Sequence, residues 1–451
     1  MGFLAERRAR QARNRAVLAV VEARHRAGQE IDRLMAEGRA QRRERAWDAA
    51  ATTLAGAVRL GTEQLGPDDP NTLLAQVEYG RTLSLLRRWA EAERVLRTAV
   101  DAAAPHSDRL RQDLRLDALA ALGTVLVRSE RYAEAVAVLE EHRELARQSD
   151  CDLTGSLTAE DLADAYLGLG REAEAVRLYA DTAAHREAEA GTRAGTGMGT
   201  GTGTGVGRSD AAVLRLRGKL ARALLRLGHL AQAERAARAV LRAAADNPAA
   251  VSRWSAAAVL AQALVQQDRA AEGEAVAREA IAEWRRARGP ERKLHARLGH
   301  VLAEALNAQQ RHQEALELAL EHLAAGAAAA AAATGAAGGA EGAASGEPGA
   351  ATAFRCDLAA AQLGLGRPEE ALRAVEPFLA HCRAERHPHD YTALVAETLY
   401  GRVLAALGRT AEARDVLAAG AAGWRERYGP EHVRTRQAER ELAAVTGESA
   451  P

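Results

Sequence analysis

The chain has 451 residues, with 61 basic and 61 acidic side chains and a formal net charge of zero. Only 3% of residues are aromatic, about a quarter are Ala, and all but two of the basic residues (Lys219 and Lys293) are Arg. Strong helix formers dominate and strand-favouring residues are scarce, so the composition points to an all-α protein. The even charge balance excludes a surface built to coat nucleic acid or an anionic membrane. Three widely spaced cysteines, Cys151, Cys356 and Cys382, exclude a disulfide framework and fit a reducing compartment. No apolar run approaches membrane-spanning length. The stretch Ala16–Val21 behind the first arginines is stopped by Glu22 and is too short for a signal peptide, so a cytoplasmic location is expected.

In chain order, residues 1–45 carry 12 Arg and 6 acidic residues and read as a basic N-terminal helical cap. A first block of paired helices is expected over 46–190, followed by a Gly/Thr linker at 191–209. A second block spans 210–325, an Ala/Gly linker 326–350 and a third block 351–427. Residues 428–451 read as a C-terminal capping helix and tail.

One phrase recurs through these blocks. It reads Arg87-Arg88-Trp89-Ala90-Glu91-Ala92, then Glu130-Arg131-Tyr132-Ala133-Glu134-Ala135, then Gly170-Arg171-Glu172-Ala173-Glu174-Ala175. Further copies end at Ala233, Gly273, Ala315, Ala371 and Ala413, and Trp47-Asp48-Ala49 is a weaker ninth. Six of the eight intervals between these anchors lie between 40 and 43 residues, and the other two contain the low-complexity linkers. Twelve residues before each strong anchor lies a small residue: Gly80, Gly123, Ala163, Ala221, Ala261, Ala303, Ala359 or Gly401. A small residue flanked by large ones permits close approach of a second helix, whose anchor supplies the complementary gap. Each unit is therefore a helical hairpin that must stack on its neighbours to bury its apolar face.

Leu162, Ala163, Tyr166, Ala175 and Tyr179 match the large-small-aromatic-Ala-aromatic signature of the tetratricopeptide repeat, which the chain resembles. The long period and the connector Gly66-Pro67-Asp68-Asp69-Pro70-Asn71-Thr72-Leu73 are similar to the kinesin-light-chain variety common in bacterial signalling and scaffold proteins. The resemblance implies an α-solenoid of eight to nine stacked hairpins in a right-handed superhelix, interrupted by two low-complexity loops. It also implies a concave groove lined by the first helix of each pair.

No phosphate-binding loop, dinucleotide fingerprint, HExxH or GxSxG motif is present, so the chain reads as no enzyme and no cofactor is expected. His381, Cys382, His387, His389 and Asp390 could in principle surround a zinc ion. They align with the end of a second helix and the next connector, so no metal is assigned. Asp68 and Asp69 likewise read as connector residues that cap a helix.

Counting from the anchors, the groove face carries Arg81, Asp164, Arg222, Gln262, Glu304 and Arg402 in one row, and Leu167, Leu225, Asn307 and Leu363 in another. Carboxylates of a bound segment would meet the arginines, and the leucines would give apolar contact. The leading expectation is a non-enzymatic scaffold or adaptor that binds a peptide or partner protein in the groove. Alternatives are a ligand- or peptide-responsive regulator and, through the basic N-terminus, a nucleic-acid-associated protein. No membrane partner is expected, and the oligomeric state is left open.

Overall fold

A computed structural model describes residues 2–148, 152–195, 211–245, 252–287, 292–336, 348–385 and 390–447. Every regular element among them is an α-helix, nineteen in all. Two compact units, Met1–Gly168 and Leu169–Pro451, are described separately. In the first, α1 (Gly2–Arg43) pairs with α2 (Trp47–Gln64), α3 (Pro70–Leu85) with α4 (Trp89–Ala103) and α5 (Arg109–Arg128) with α6 (Tyr132–Gln148), and α7 (Asp152–Gly168) follows. The second begins with α8 (Glu172–Gly195), which packs on α9 (Ala211–Arg226). Its hairpins are α9 with α10 (Leu230–Ala244), α11 (Ser252–Val265) with α12 (Ala270–Arg286), and α13 (Arg292–Ala308) with α14 (His312–Ala336). Then come α15 (Pro348–Gly364) with α16 (Pro368–Glu385), α17 (Tyr391–Ala406) with α18 (Thr410–Tyr428), and the single helix α19 (Val433–Thr446).

Within each unit the first helices also pack on one another: α1, α3, α5 and α7 in the first, and α9, α11, α13, α15, α17 and α19 in the second. This is the stacking of an α-solenoid, in which each hairpin packs chiefly on its neighbours. The helices flanking the Gly/Thr linker, α8 and α9, are in contact, as are α14 and α15 across the Ala/Gly linker. Helix α14 runs into that linker as far as Ala336, because an alanine run has the highest helix propensity.

The turn inside each hairpin explains the recurring phrase. Five residues before each strong anchor the backbone is left-handed: at Arg87, Glu130, Asp268 and Gln310 with φ of 60–63°, and at Gly170, Gly228, Gly366 and Gly408 with φ of 71–75°. The next residue's N–H donates back to a carbonyl of the preceding helix, as in Arg131 to Leu126 and Arg269 to Leu264, both 2.9 Å. That is the Schellman geometry, and it ends the first helix. A ninth left-handed residue is Arg45, with φ 62°. It corrects the register of the first copy: the anchor is Ala50, fully buried, and not Ala49, which is exposed. Two adjacent alanines make the phrase ambiguous there, and the turn decides between them.

The corrected register brings out a rule of volume. Twelve residues before Ala50 is Gly38, and four after it is Leu54; a Cβ on Gly38 would lie 2.7 Å from Leu54 Cγ. Gly80 meets Leu96 and Gly401 meets Leu417 in the same way, each at 2.6 Å, and Gly123 meets Leu139. Where the small residue is Ala, the facing position is smaller: Ala221 with Ala237, Ala261 with Ala277 and Ala303 with Ala319, all fully buried. Close-packed interiors favour such matched pairs. Ala163 departs from this series, its counterpart four beyond the anchor being the buried Tyr179.

The phrase also writes an ion-pair ladder. The Arg four before the anchor pairs with the Glu one before it, as in Arg88–Glu91 at 2.6 Å, Arg269–Glu272 at 2.7 Å and Arg311–Glu314 at 2.6 Å. The same arginines reach the preceding hairpin, Arg269 to Glu234 at 3.0 Å and Arg311 to Glu274 at 2.7 Å. Burial alone would raise the Glu274 carboxyl, but hydrogen bonds from Gln309 and Arg311 hold it below its ordinary value.

Of the five tryptophans, Trp254 and Trp424 are core residues, 3% and 1% exposed. The Trp424 indole N–H donates to Thr398 Oγ1 at 3.1 Å. The rings of Trp284, His295, His322 and Phe354 form a continuous stack with centroid separations of 4.4, 5.1 and 4.4 Å. Burial pushes His322 and His432 down to about 4 and lowers His142 and His295. These imidazoles are held neutral in the fold and protonate more readily when it opens. Stability is therefore present above the unfolded value near 6.5 and lost as pH falls toward 4. We expect the urea midpoint to drop between pH 7 and pH 4.5, with a shallower drop in His322→Phe.

Candidate functional site

In the first unit, the first helices of successive hairpins are tied by polar side chains, among them the predicted Arg81. Arg81 of α3 bonds Asp117 of α5 at 3.1 Å, and Thr124 of α5 donates to Asp161 of α7 at 2.6 Å. One step earlier, Arg39 and Arg42 of α1 hold the buried Glu78 at 3.1 and 2.5 Å. Between α3, α5 and α7 lies a cleft of about 310 Å³. Its walls carry Arg81, Asp117, Thr124, Arg128 and Asp161, and Leu85, 43% exposed, sits on its rim. Two arginines, two carboxylates and an exposed leucine suit an amphipathic segment with charges of both signs.

Of the other predicted residues in this unit, Asp164 and Leu167 lie on α7 outside the cleft walls, and Leu167 is 3% exposed. The sequence reasoning missed Asp117, Arg128 and Asp161. They sit on inner helices but outside the two rows counted from the anchors.

In the second unit the predicted residues meet the end of the chain itself. Gln262 of α11 donates to Glu304 of α13 at 3.4 Å, and Glu304 accepts from Arg434 of α19 at 2.7 Å. Arg402 of α17 pairs with Glu441 of α19 at 3.2 Å. Asn307 donates to the Asp357 carbonyl at 3.3 Å. The Arg222 Nε is buried without a hydrogen-bond acceptor among the described residues. Leu225 is 3% exposed within the α9–α11 core, and Leu363 packs against the core of α15–α17. In this conformation neither leucine offers an open apolar surface.

Two further arrangements in this unit place charged groups in half-buried positions, with Asp357 itself buried. His300 Nδ1 lies 2.6 Å from Asp357 Oδ2; burial alone would lower the imidazole, but the carboxylate lifts it to about 9. Burial also raises Asp357, more than His300 lowers it. Arg297 is pushed down to about 9 by burial and then by the neighbouring Arg222 and Arg226.

The connectors behave as helix caps. Asp69 accepts from Asn71 N at 3.0 Å, Asp390 from Thr392 N at 2.9 Å, and His432 Nδ1 from Arg434 N at 3.2 Å. Cys382 is 1% exposed in the core, while His387 and His389 lie outside the described residues. Among the described residues no three His, Cys, Asp or Glu side chains are placed to hold a metal, and no helix is long and apolar enough to cross a membrane.

This architecture of stacked hairpins defines a helical-repeat protein. The tetratricopeptide-repeat profile matches residues 214–239, 352–377 and 394–419, so the chain carries tetratricopeptide repeats at these three stretches. Among solved structures, the apo form of the quorum sensor NprR from B. thuringiensis is similar, with 14% identity and a TM-score of 0.52 over 78% of this chain and 86% of that one. A Rap protein complexed with Competence and Sporulation Factor is similar at 10% identity and TM-score 0.48, over 84% and 100% of the two chains. Kinesin light chain TPR-like repeats from Podospora anserina reach 21% identity and TM-score 0.32, over 48% and 96%. No curated protein matches the sequence.

Proposed function

We propose that the chain is a non-enzymatic adaptor that holds a segment of a partner protein against its inner helices, with the cleft between α3, α5 and α7 as the docking point. The observation that carries this reading is the convergence of Arg81, Asp117, Arg128 and Asp161 around an open cleft with the exposed Leu85 at its rim. Tetratricopeptide repeats at three stretches of the chain support a protein-binding role. An acidic side chain of the ligand would compete with Asp117 for Arg81, and an apolar one would cover Leu85.

The test uses a partner identified by photo-crosslinking from position 85. A charge-assisted hydrogen bond contributes roughly 1.5–3 kcal/mol, so Arg81→Ala should weaken binding about ten- to hundredfold while barely changing the melting temperature. Leu85→Asp should act similarly. Binding that ignores both substitutions but falls steeply with salt would instead favour nucleic acid at the basic N-terminus.

A further inference from the structure

The end of the second unit returns to its beginning. Tyr428, the last residue of α18, donates its hydroxyl to Glu172 at the start of α8 at 3.0 Å, and Arg427 reaches the same oxygen at 3.5 Å. Glu172 is 2% exposed. Four residues on, His432 caps α19 through Nδ1, which leaves Nε2–H to donate to the Arg226 carbonyl at the end of α9 at 3.0 Å. Arg434 then donates to Glu304 of α13. These contacts join residues 130 to 256 positions apart.

Their chemistry has one direction. The anchor points on α8, α9 and α13 are two carboxylates and a carbonyl, all acceptors. The groups that reach them are a phenol, an imidazole N–H and guanidinium groups, all donors. The approach is also close: a Cβ on Gly170 would strike Arg427, and one on Gly228 would lie 2.5 Å from the His432 ring. The equivalent turn glycines Gly366 and Gly408 face open space.

The returning helix is weakly bound by apolar packing. Helix α19 buries only Thr435, Ala438 and Ala443, whereas α11, of the same length, buries ten residues. Its polar attachment is imperfect at Arg434 Nε, which is buried without a hydrogen-bond acceptor among the described residues. An opening of about 710 Å³ lies between the first turn of α10 and the side of α19 that carries Arg436 and Arg440.

We propose that the inner face of the second unit is a receptor for an arginine-bearing segment of a partner protein, and that residues 427–441 occupy it as a built-in competitor. The acceptor row Glu172, Arg226 carbonyl and Glu304 selects a donor-rich segment, and the partner enters by displacing α19. The residues of this surface all belong to the second unit.

The probe is a labelled synthetic peptide of residues 426–447, added to the full-length chain. The double variant His432→Ala/Arg434→Ala should bind it at least tenfold more tightly than the parent, and adding Glu304→Ala should remove that gain. Arg81→Ala should leave peptide binding unchanged, which separates this proposal from the cleft reading. On the unaltered chain, excess peptide should speed amide exchange in α19 but not in α11. Equal affinity of parent and double variant, binding indifferent to Glu304, or α19 exchange untouched by the peptide would each overturn the proposal.

Discussion

Leu139→Ala should lower stability by about 3–4 kcal/mol, since it empties a fully buried position in a close-packed hairpin. Gly123→Ala should also destabilise, by about 1–3 kcal/mol, because its Cβ would overlap Leu139 and overpacking outweighs the gain in helix propensity. The two losses should not add. Together the changes recreate the Ala–Ala pairing that the chain uses at Ala221 with Ala237 and at Ala303 with Ala319. A double-mutant cycle by urea denaturation should show the double variant more stable than the sum predicts, by about 1–3 kcal/mol. Strict additivity would mean that Gly123 and Leu139 do not share one space.

His300→Ala should cost about 3 kcal/mol near pH 7, because it leaves Asp357, 5% exposed, as a buried carboxylate without its cation. The pH dependence identifies the cause. In the parent, His300 is raised to about 9, so its contribution is full below the unfolded value near 6.5 and lost as pH rises through about 9. In the variant the penalty falls with pH as Asp357, already raised by burial, takes up a proton. The difference between parent and variant should therefore be largest near neutrality and shrink on both sides. A difference flat from pH 5 to 10 would show that packing alone is lost.

The hairpin, its period and its caps were legible in the sequence because each depends on residues within about one repeat of one another. The phrase ending in Glu-Ala encodes the turn, the anchor and the ion pair together, and Asp69 and Asp390 announce the starts of α3 and α17. The one register error, Ala49 for Ala50, arose where local identity was degenerate. It needed the backbone conformation of Arg45 and the fit of Gly38 against Leu54 to resolve it.

The sites were less legible. Periodicity shows that Glu304 and Arg402 lie on inner helices, but not which groups curvature brings against them. Arg434 reaches Glu304 only because the stacked hairpins return the chain, and the sequence shows α19 merely as a polar terminal helix. Asp117 and Asp161 were missed for the same reason, since their partners Arg81 and Thr124 lie one hairpin away and at a different height. What the sequence determined by itself was the all-helical class and the repeat, because short-range sterics and apolar spacing set them. Only the tertiary structure decided which inner face stays open and which is closed by the chain's own end, because small rotations accumulated over many hairpins control that meeting and no single repeat encodes it.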